Sequence, residues 1–496
     1  MAPLCLLLAT ILIVPALSKL QPHTFSVDEP LLLSRLLDDH GGNNTIAKQR
    51  SKVQSLDINE SYSGYITVNR TLGNHLFFWL FPSQEDQTSP LLIWLDGGPG
   101  ESSMLGLFTA HGPLEIDLED KGNVKLKRRA LAWSNNFSML YIDNPVGSGF
   151  SFSDSGSRGF RNTKRGFTDD LYEFMKQFYQ IYSEYINCAL YVGGNSYGGR
   201  YAPWLASKIH EERHENSINL EGVYIGGPYF DPETMNPALF DAHYAFGVIS
   251  HIERDRFKSG VNKLYNEFRD GNIDESMRIN DWLDTLVPSG FSDTDWSNID
   301  KLFENTTLKR IIHAGVNSTF KTMNVDVFNN MGKNIFVSSK PELAELMNHY
   351  KVLIFNGNKD LIVSSTMVEA ALISTPWRHQ YDYNQTRRAQ WKSPIGALHG
   401  YYSYVSHLCR VIINEAGHYA VMDRPEAASN MINSFIRDGC VGPRTKSFNA
   451  GGSPITSSTD NPPGTAQASR ANCAEMSCLI FAIMIIKAAA NYIIWI

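Results

Sequence analysis

Ala189-Leu190-Tyr191-Val192-Gly193-Gly194-Asn195-Ser196-Tyr197-Gly198-Gly199-Arg200-Tyr201 runs from a strand-like apolar segment, Ala189 to Val192, through a glycine-rich turn into a helix-compatible run, Tyr201 to Glu212. Within it, Gly194-Asn195-Ser196-Tyr197-Gly198 has the G-x-S-x-G spacing of a tight strand-to-helix turn that exposes a serine oxygen at the carboxyl end of a sheet. With Gly and Ser each near 7% of residues, three fixed positions recur by chance in roughly one chain of this length in six, so the spacing alone decides little. The order of buried strand, turn and helix separates this reading from a glycine-rich turn carrying a solvated serine.

Outward from that turn, short runs of β-branched and aromatic residues recur at Tyr62 to Val68, His75 to Phe81, Leu91 to Leu95, Met139 to Ile142 and Gly222 to Ile225. Two more follow late, at Lys351 to Phe355 and Leu408 to Ile413. Helix-like stretches such as Phe167 to Ile181 and Pro203 to Glu212 lie between several of them. Strands alternating with helices predict a mostly parallel central sheet with helices on both faces and an antiparallel hairpin leading in, and with the G-x-S-x-G turn at a strand end the expectation is an α/β-hydrolase fold. From about 229 to 345 the strand signal fades into polar, helix-compatible sequence, which predicts a largely helical cap insertion over one end of the sheet.

A serine hydroxyl needs a base to take its proton, and that base needs an acid to fix its tautomer and stabilise its cation. The order Ser, Asp, His is met by Ser196, by Asp360 at the end of Val352-Leu353-Ile354-Phe355-Asn356-Gly357-Asn358-Lys359-Asp360, and by His418 in Asn414-Glu415-Ala416-Gly417-His418. Each of the latter two alone reads as a solvated loop side chain; their order and strand-end settings together make them the candidates. Acyl transfer also needs donors for the developing oxyanion. Asp96-Gly97-Gly98-Pro99-Gly100 follows the strand Leu91 to Leu95, and the N–H of Gly98 pairs in this reading with that of Tyr197. No P-loop lysine or dinucleotide fingerprint accompanies those glycines, so a phosphate cradle does not fit.

The composition, 43% hydrophobic and 19% charged, is that of a globular protein, and 496 residues allow one large domain with an insertion. A net charge of -7 offers no footprint for nucleic acid, and the basic run Lys125 to Arg129 reads as a solvated face. Residues 1–18 read as a signal peptide: an apolar stretch from Leu4 to Val14, too short to span a bilayer, then the small residues of Ala16-Leu17-Ser18. N-x-[ST] acceptors at Asn43, Asn59, Asn69, Asn136, Asn305, Asn317 and Asn384 suit a secretory address. Of six cysteines, Cys188, Cys409 and Cys440 fall in the body, 19–440, so at most one bridge forms there. Neither CxxC pairs nor an HExxH stretch suggests zinc, and neither a metal nor another cofactor is expected. Residues 441–472 have linker composition, and the apolar tail 473–496, interrupted by Lys487 and Asn491, resembles either a lipid-anchor signal with Asn472 as attachment point or a single-span anchor. Membrane attachment through that tail is therefore one expectation, and loss or irrelevance of the tail its competitor.

Three segments carry a wider resemblance. Trp94-Leu95-Asp96-Gly97-Gly98-Pro99-Gly100-Glu101-Ser102-Ser103, Asp143-Asn144-Pro145-Val146-Gly147-Ser148-Gly149-Phe150-Ser151 and Gly194 to Gly199, with Lys359-Asp360 and Ala416-Gly417-His418 in register, resemble the serine carboxypeptidases from about Tyr62 to Arg437. Gly106 to Pro113 resembles their vitellogenic-carboxypeptidase-like branch. The resemblance implies removal of single C-terminal residues from peptides without metal, usually at acid pH, in lysosomes, vacuoles or secretions.

Four departures qualify it. The family usually has Asn at Asp96 and Glu at Asn195, the pair that holds the substrate's terminal carboxylate, so amide and acid are exchanged. Ala110 stands where an acid supports that pair, and Glu101 replaces a disulfide cysteine. Tyr419, beside His418, borders the leaving residue by the same analogy, or simply packs. Two other readings use the same sequence: esterase or acyltransferase chemistry on the same triad, and a catalytically silent binding protein. Cleavage of a C-terminal amide as well as the free acid distinguishes the first; the complete Ser, Asp and His set speaks against the second.

Overall fold

The computed structural model describes residues 26–447 apart from 55, 57–59, 87, 119–123, 216, 277 and 279–295. The signal segment 1–18, the tail 473–496 with Asn472, and Asn59 lie outside the described residues.

Thirteen strands form among the described residues: β1 (Tyr62–Asn69), β2 (Asn74–Phe81), β3 (Leu91–Leu95), β4 (Leu114–Leu118), β5 (Val124–Arg128), β6 (Ser138–Ile142), β7 (Phe152–Ser153), β8 (Leu190–Asn195), β9 (Leu220–Gly226), β10 (Lys351–Gly357), β11 (Ala389–Lys392), β12 (Leu398–Val405) and β13 (Leu408–Ile413). The main sheet has the order β1-β2-β6-β3-β8-β9-β10-β13-β12-β11, with β7 on β2. From β6 to β13 every neighbouring pair is parallel; β1, β2, β7, β11 and β12 add antiparallel edges.

Continuous apolar runs make sense here because both faces are covered. Leu91, Ile93 and Leu95 of β3 point into one core while Leu92 and Trp94 point into the other, and Val352, Ile354, Leu353 and Phe355 of β10 divide the same way. Phe167, Leu171, Phe174 and Phe178 of the helix Lys164–Ile181 recur at helical spacing and close the first core. Ala428, Met431, Ile432 and Phe435 of the helix Pro425–Asp438 close the second. This is the α/β-hydrolase arrangement.

Between β9 and β10 the described residues form only helices, among them Pro232–Ala245, His251–Arg269, Ser297–Leu302, Thr306–Ile311, Val325–Met331 and Lys340–His349. A capping box, with Ser250 and Glu253 satisfying each other's backbone, starts the longest. This segment also clasps the loop after β3: Ser102 N donates to Thr322 O at 2.9 Å and Asn324 N to Gly100 O at 3.0 Å.

Two differences from the sequence expectation have local causes. β8 runs on through Gly193 and Gly194 to Asn195, and the next helix starts at Gly198 rather than Tyr201, because the elbow passes from strand to helix without a loop. β11 and β12 pair at the sheet's edge with no continuous apolar run to reveal them. The basic run Lys125 to Arg129 lies on and just after β5, where Lys127 Nζ sits 3.4 Å and Arg129 Nη1 3.0 Å from Glu115 on β4.

The one bridge the body allows joins Cys409 of β13 to Cys440, while Cys188 is buried. Asn43, Asn136, Asn305, Asn317 and Asn384 are exposed and Asn69 is half-buried. Among the described residues no helix is long and apolar enough to cross a membrane.

Candidate active site

The loops after β3, β6, β8, β10 and β13 all leave the carboxyl end of the parallel strands. β3 lies between β6 and β8, so successive connections depart to opposite sides there and open a crevice. Asp96 and Ser196 emerge on its two walls.

Ser196 has φ of 60°, the left-handed region that a non-glycine residue occupies at a cost, and the turn is held by Ser196 N donating to Gly226 O at 3.0 Å and Tyr229 N to Ser196 O at 3.0 Å. The flanking glycines answer to close packing on β3: a Cβ on Gly194 or Gly198 would lie 2.5 or 2.2 Å from Leu95 O. Gly227, with φ of 43°, joins the elbow to the other two candidates, since a Cβ there would stand 3.1 Å from His418 Cε1 and Nδ1 and 3.2 Å from Asp360 Oδ2. Thus the turn whose Gly226 carbonyl anchors Ser196 is also the surface on which the His418–Asp360 pair rests.

His418 Nδ1 lies 2.9 Å from Asp360 Oδ2, and both residues are buried. Asp360 Oδ1 accepts from Ile362 N and Val363 N, each at 2.8 Å, which orients the carboxylate toward the ring. Burial alone would lower the His418 pKa; the Asp360 charge and hydrogen bond, with the charges of Glu101 and Asp423, outweigh it and leave it above the ordinary imidazole value. This arrangement puts Nδ1–H on Asp360 and leaves Nε2 as the basic nitrogen.

Gly97 presses against the elbow, where a Cβ would meet Ser196 Cβ and Tyr197 N at 2.8 Å and Asn195 O at 2.9 Å. Gly98 follows with φ of 99°. The N–H of Gly98 and that of Tyr197, the first residue beyond the serine, are thus carried on two backbones in contact. Tyr197 itself is anchored from below by the fully buried Arg200, whose Nη1 donates to its hydroxyl at 3.1 Å and to Ile335 O at 2.6 Å.

Asp96 is 2% exposed, and its Oδ2 accepts from Trp94 Nε1 at 2.9 Å and Gly106 N at 2.8 Å. Burial, then the nearby charge of Glu101, pushes its pKa well above the carboxylate range. With two donors on Oδ2, the proton of the neutral acid sits on Oδ1. Asn195 is 6% exposed and its Nδ2 has no hydrogen-bond partner among the described residues. Ala110 lies on the π-helical segment Gly106–His111 and offers no polar group. The two motif loops are locked together by Asp143, which accepts from Ser102 Oγ at 2.6 Å, Ser103 N at 3.0 Å and Phe150 N at 2.8 Å; burial outweighs these donors and raises it to about 7.

Sequence reasoning missed the part played by Glu101, taken there only as a lost cysteine. Its backbone N donates to Gly97 O at 3.2 Å, its side chain lies over Gly98, and it receives a hydrogen bond from Tyr419. Burial raises its pKa, against the lowering effects of His418 and that bond. The Tyr419 ring packs 5.3 Å from His418 and 5.1 Å from Trp296 of the helical insertion. The signal available was a carboxylate placed on the far side of Gly97-Gly98-Pro99-Gly100 from Asp96. A surface cavity of about 630 Å³ is lined by residues such as Arg70, Arg161 and Asp169 and contains none of these site residues.

Comparison with known proteins follows the same residues. A family model described as "Serine carboxypeptidase" matches residues 52–287 and 276–438. "Probable serine carboxypeptidase CPVL" of Homo sapiens is 37% identical over 402 residues, covering 76% of this chain and 83% of the relative. "Vitellogenic carboxypeptidase" of Aedes aegypti is 29% identical over 439 residues, covering 82% and 90%. The crystal structure of a prohormone-processing carboxypeptidase from Saccharomyces cerevisiae superposes with a TM-score of 0.70 at 20% identity, over 79% of this chain and 96% of that one, a likeness of fold.

Proposed function

The chain belongs to the serine carboxypeptidase family and is a serine-type carboxypeptidase, and from that premise we propose that Ser196, His418 and Asp360 release single C-terminal residues through an acyl-enzyme. Ser196 Oγ attacks the scissile carbonyl carbon and gives its proton to His418 Nε2; the carbonyl oxygen, now anionic, takes the N–H groups of Gly98 and Tyr197. When the C–N bond breaks, His418 returns the proton to the leaving amine. Water then attacks the ester with His418 again as base, regenerating Ser196 and freeing the shortened peptide. The observation that carries this reading is the 2.9 Å His418–Asp360 pair resting on the glycine turn that anchors Ser196.

Asp96 and Asn195 hold the substrate's terminal carboxylate in this proposal. Asn195 donates through an Nδ2 that lacks a partner among the described residues, and Asp96 donates through Oδ1 while protonated. Ionised, Asp96 repels the same carboxylate, so binding is favoured at acid pH and weakens as pH rises through the elevated Asp96 pKa. Turnover has the opposite slope, because His418 must be neutral to act as base and its pKa is raised. KM therefore carries the alkaline limb and kcat the acid limb. In Asp96→Asn, the amide donates at any pH, and the rise of KM is expected to move to higher pH while the acid limb of kcat stays. An unchanged KM profile would remove Asp96 from carboxylate recognition.

The deciding experiment is release of free amino acid from an N-blocked dipeptide with a free C-terminus, scanned from pH 4 to 8 in wild type and Ser196→Ala. Release by wild type alone supports the proposal. Cleavage of an activated ester without dipeptide hydrolysis would transfer the same triad to other acyl chemistry, and silence on both would favour a binding role.

Gly97→Ala tests the oxyanion geometry. Its Cβ would stand 2.8 Å from Tyr197 N, with backbone rather than a flexible side chain on the other side. The expected result is a loss of about 10²–10³ in kcat, comparable to removing one oxyanion donor, measured by steady-state kinetics on protein whose circular dichroism matches wild type.

The amino-terminal apolar stretch and the exposed Asn acceptors support passage through the secretory pathway, with secretion or a lysosomal or vacuolar destination.

A further inference from the structure

Away from the crevice, three metal-ligating side chains converge on the outer surface of one helical layer. His210 stands near the end of the helix Gly198–Glu211 that the elbow begins; Glu345 and His349, four residues apart, share a face of the helix Lys340–His349. His349 Nε2 is 3.0 Å and His210 Nε2 3.8 Å from Glu345 Oε1, and all three donor atoms lie within 4.8 Å of one another. Donor atoms around a tetrahedral zinc with bonds of about 2.0–2.1 Å are separated by about 3.4 Å, so small side-chain rotations suffice. The imidazole planes of His210 and His349 are 30° apart with centroids at 5.0 Å.

A second contact prepares His210 as a ligand. Its Nδ1 is hydrogen-bonded to the Tyr350 hydroxyl at 2.8 Å, which turns Nε2 toward Glu345 and His349, and the hydroxyl can accept from Nδ1–H in the tautomer a metal requires. His210 is largely buried, with 13% of its side chain exposed, whereas Glu345 and His349 are 51% and 43% exposed, leaving the outer coordination positions to water. Arg213 and Glu211 also act on His210, with opposite signs. Two imidazoles and one carboxylate form a set suited to Zn²⁺.

We propose that His210, Glu345 and His349 bind one Zn²⁺ ion that clips the helix Gly198–Glu211 to the helix Lys340–His349. The ion has a structural role. The 14-residue elbow helix separates His210 from Ser196 by about 20 Å at 1.5 Å per residue, too far for the metal to touch substrate. Its effect is on stability rather than turnover, since it joins the end of the elbow helix remote from Ser196 to the segment that enters β10 at the end remote from Asp360. A site assembled from two helices leaves no linear motif, which is why CxxC and HExxH searches pass over it.

The test is equilibrium dialysis of tag-free, chelator-treated full-length protein against ZnCl₂, with thermal unfolding followed in parallel. The expected result is one Zn²⁺ per chain and a melting temperature raised by roughly 3 °C at a hundredfold excess over Kd. His349→Ala and Glu345→Gln change exposed side chains, so they are expected to keep wild-type dipeptide hydrolysis while zinc affinity falls at least tenfold. Tyr350→Phe, which leaves all three ligands in place, is expected to weaken binding about tenfold. Absence of saturable binding, or equal affinity in wild type, His349→Ala and Glu345→Gln, would overturn the site.

Discussion

Ser196→Ala is expected to lower kcat for dipeptide hydrolysis by roughly 10⁶, the loss seen when the nucleophile of a serine hydrolase is removed, with little change in KM. The alanine keeps the Cβ and loses only Oγ, so the elbow's strained φ of 60° and its bonds to Gly226 and Tyr229 persist. No hydroxyl remains to form the acyl-enzyme. What survives is rate enhancement from binding and from the Gly98 and Tyr197 donors, about 10³–10⁴ over water. Stopped-assay kinetics over long incubations, with an acyl-trapping reagent as a second readout, measure it. Retention of more than about 1% of wild-type kcat would remove Ser196 from the nucleophile's role.

For Asp360→Asn the expected fall in kcat is about 10⁴, with the fold intact. The Asn oxygen accepts from Ile362 N and Val363 N as Oδ1 does now, so its NH₂ is turned toward His418 Nδ1. Two donors cannot share that 2.9 Å contact. The ring answers by carrying its proton on Nε2, which leaves no base for Ser196. Loss of the Asp360 charge also removes the strongest influence raising His418, so the residual acid limb of kcat is expected to shift to lower pH. A pH–kcat series on wild type and variant separates the two effects, because mere disorder of the loop would lower activity without moving the limb.

The fold was legible where sequence and structure share a local cause. Leu91 to Leu95 and Lys351 to Phe355 are unbroken apolar runs because both faces of the central strands are buried, and that pattern survives in one dimension. β11 and β12 were not legible: Ala389–Lys392 is largely polar, and its pairing at the sheet's edge depends on a neighbour already in place. Within the candidate site, Ser196, Asp360 and His418 could be singled out as candidates because each follows a strand closely and the chain order is right. Glu101 could not, because its consequence lies in its approach to Tyr419 and His418, which arrive from the loop after β13.

What the sequence determined by itself was the set of strand-end residues and the order in which they arrive, since glycine-rich turns, apolar runs and their spacing are properties of neighbouring residues. The tertiary structure decided which of those ends meet. Sheet order sets β3 between β6 and β8, so Gly97 touches Ser196 and the acids Asp96 and Glu101 face one crevice. Packing of two helices brings His210 to Glu345 and His349. Such meetings depend on the registration of elements far apart in the chain, and no local pattern of residue types encodes it.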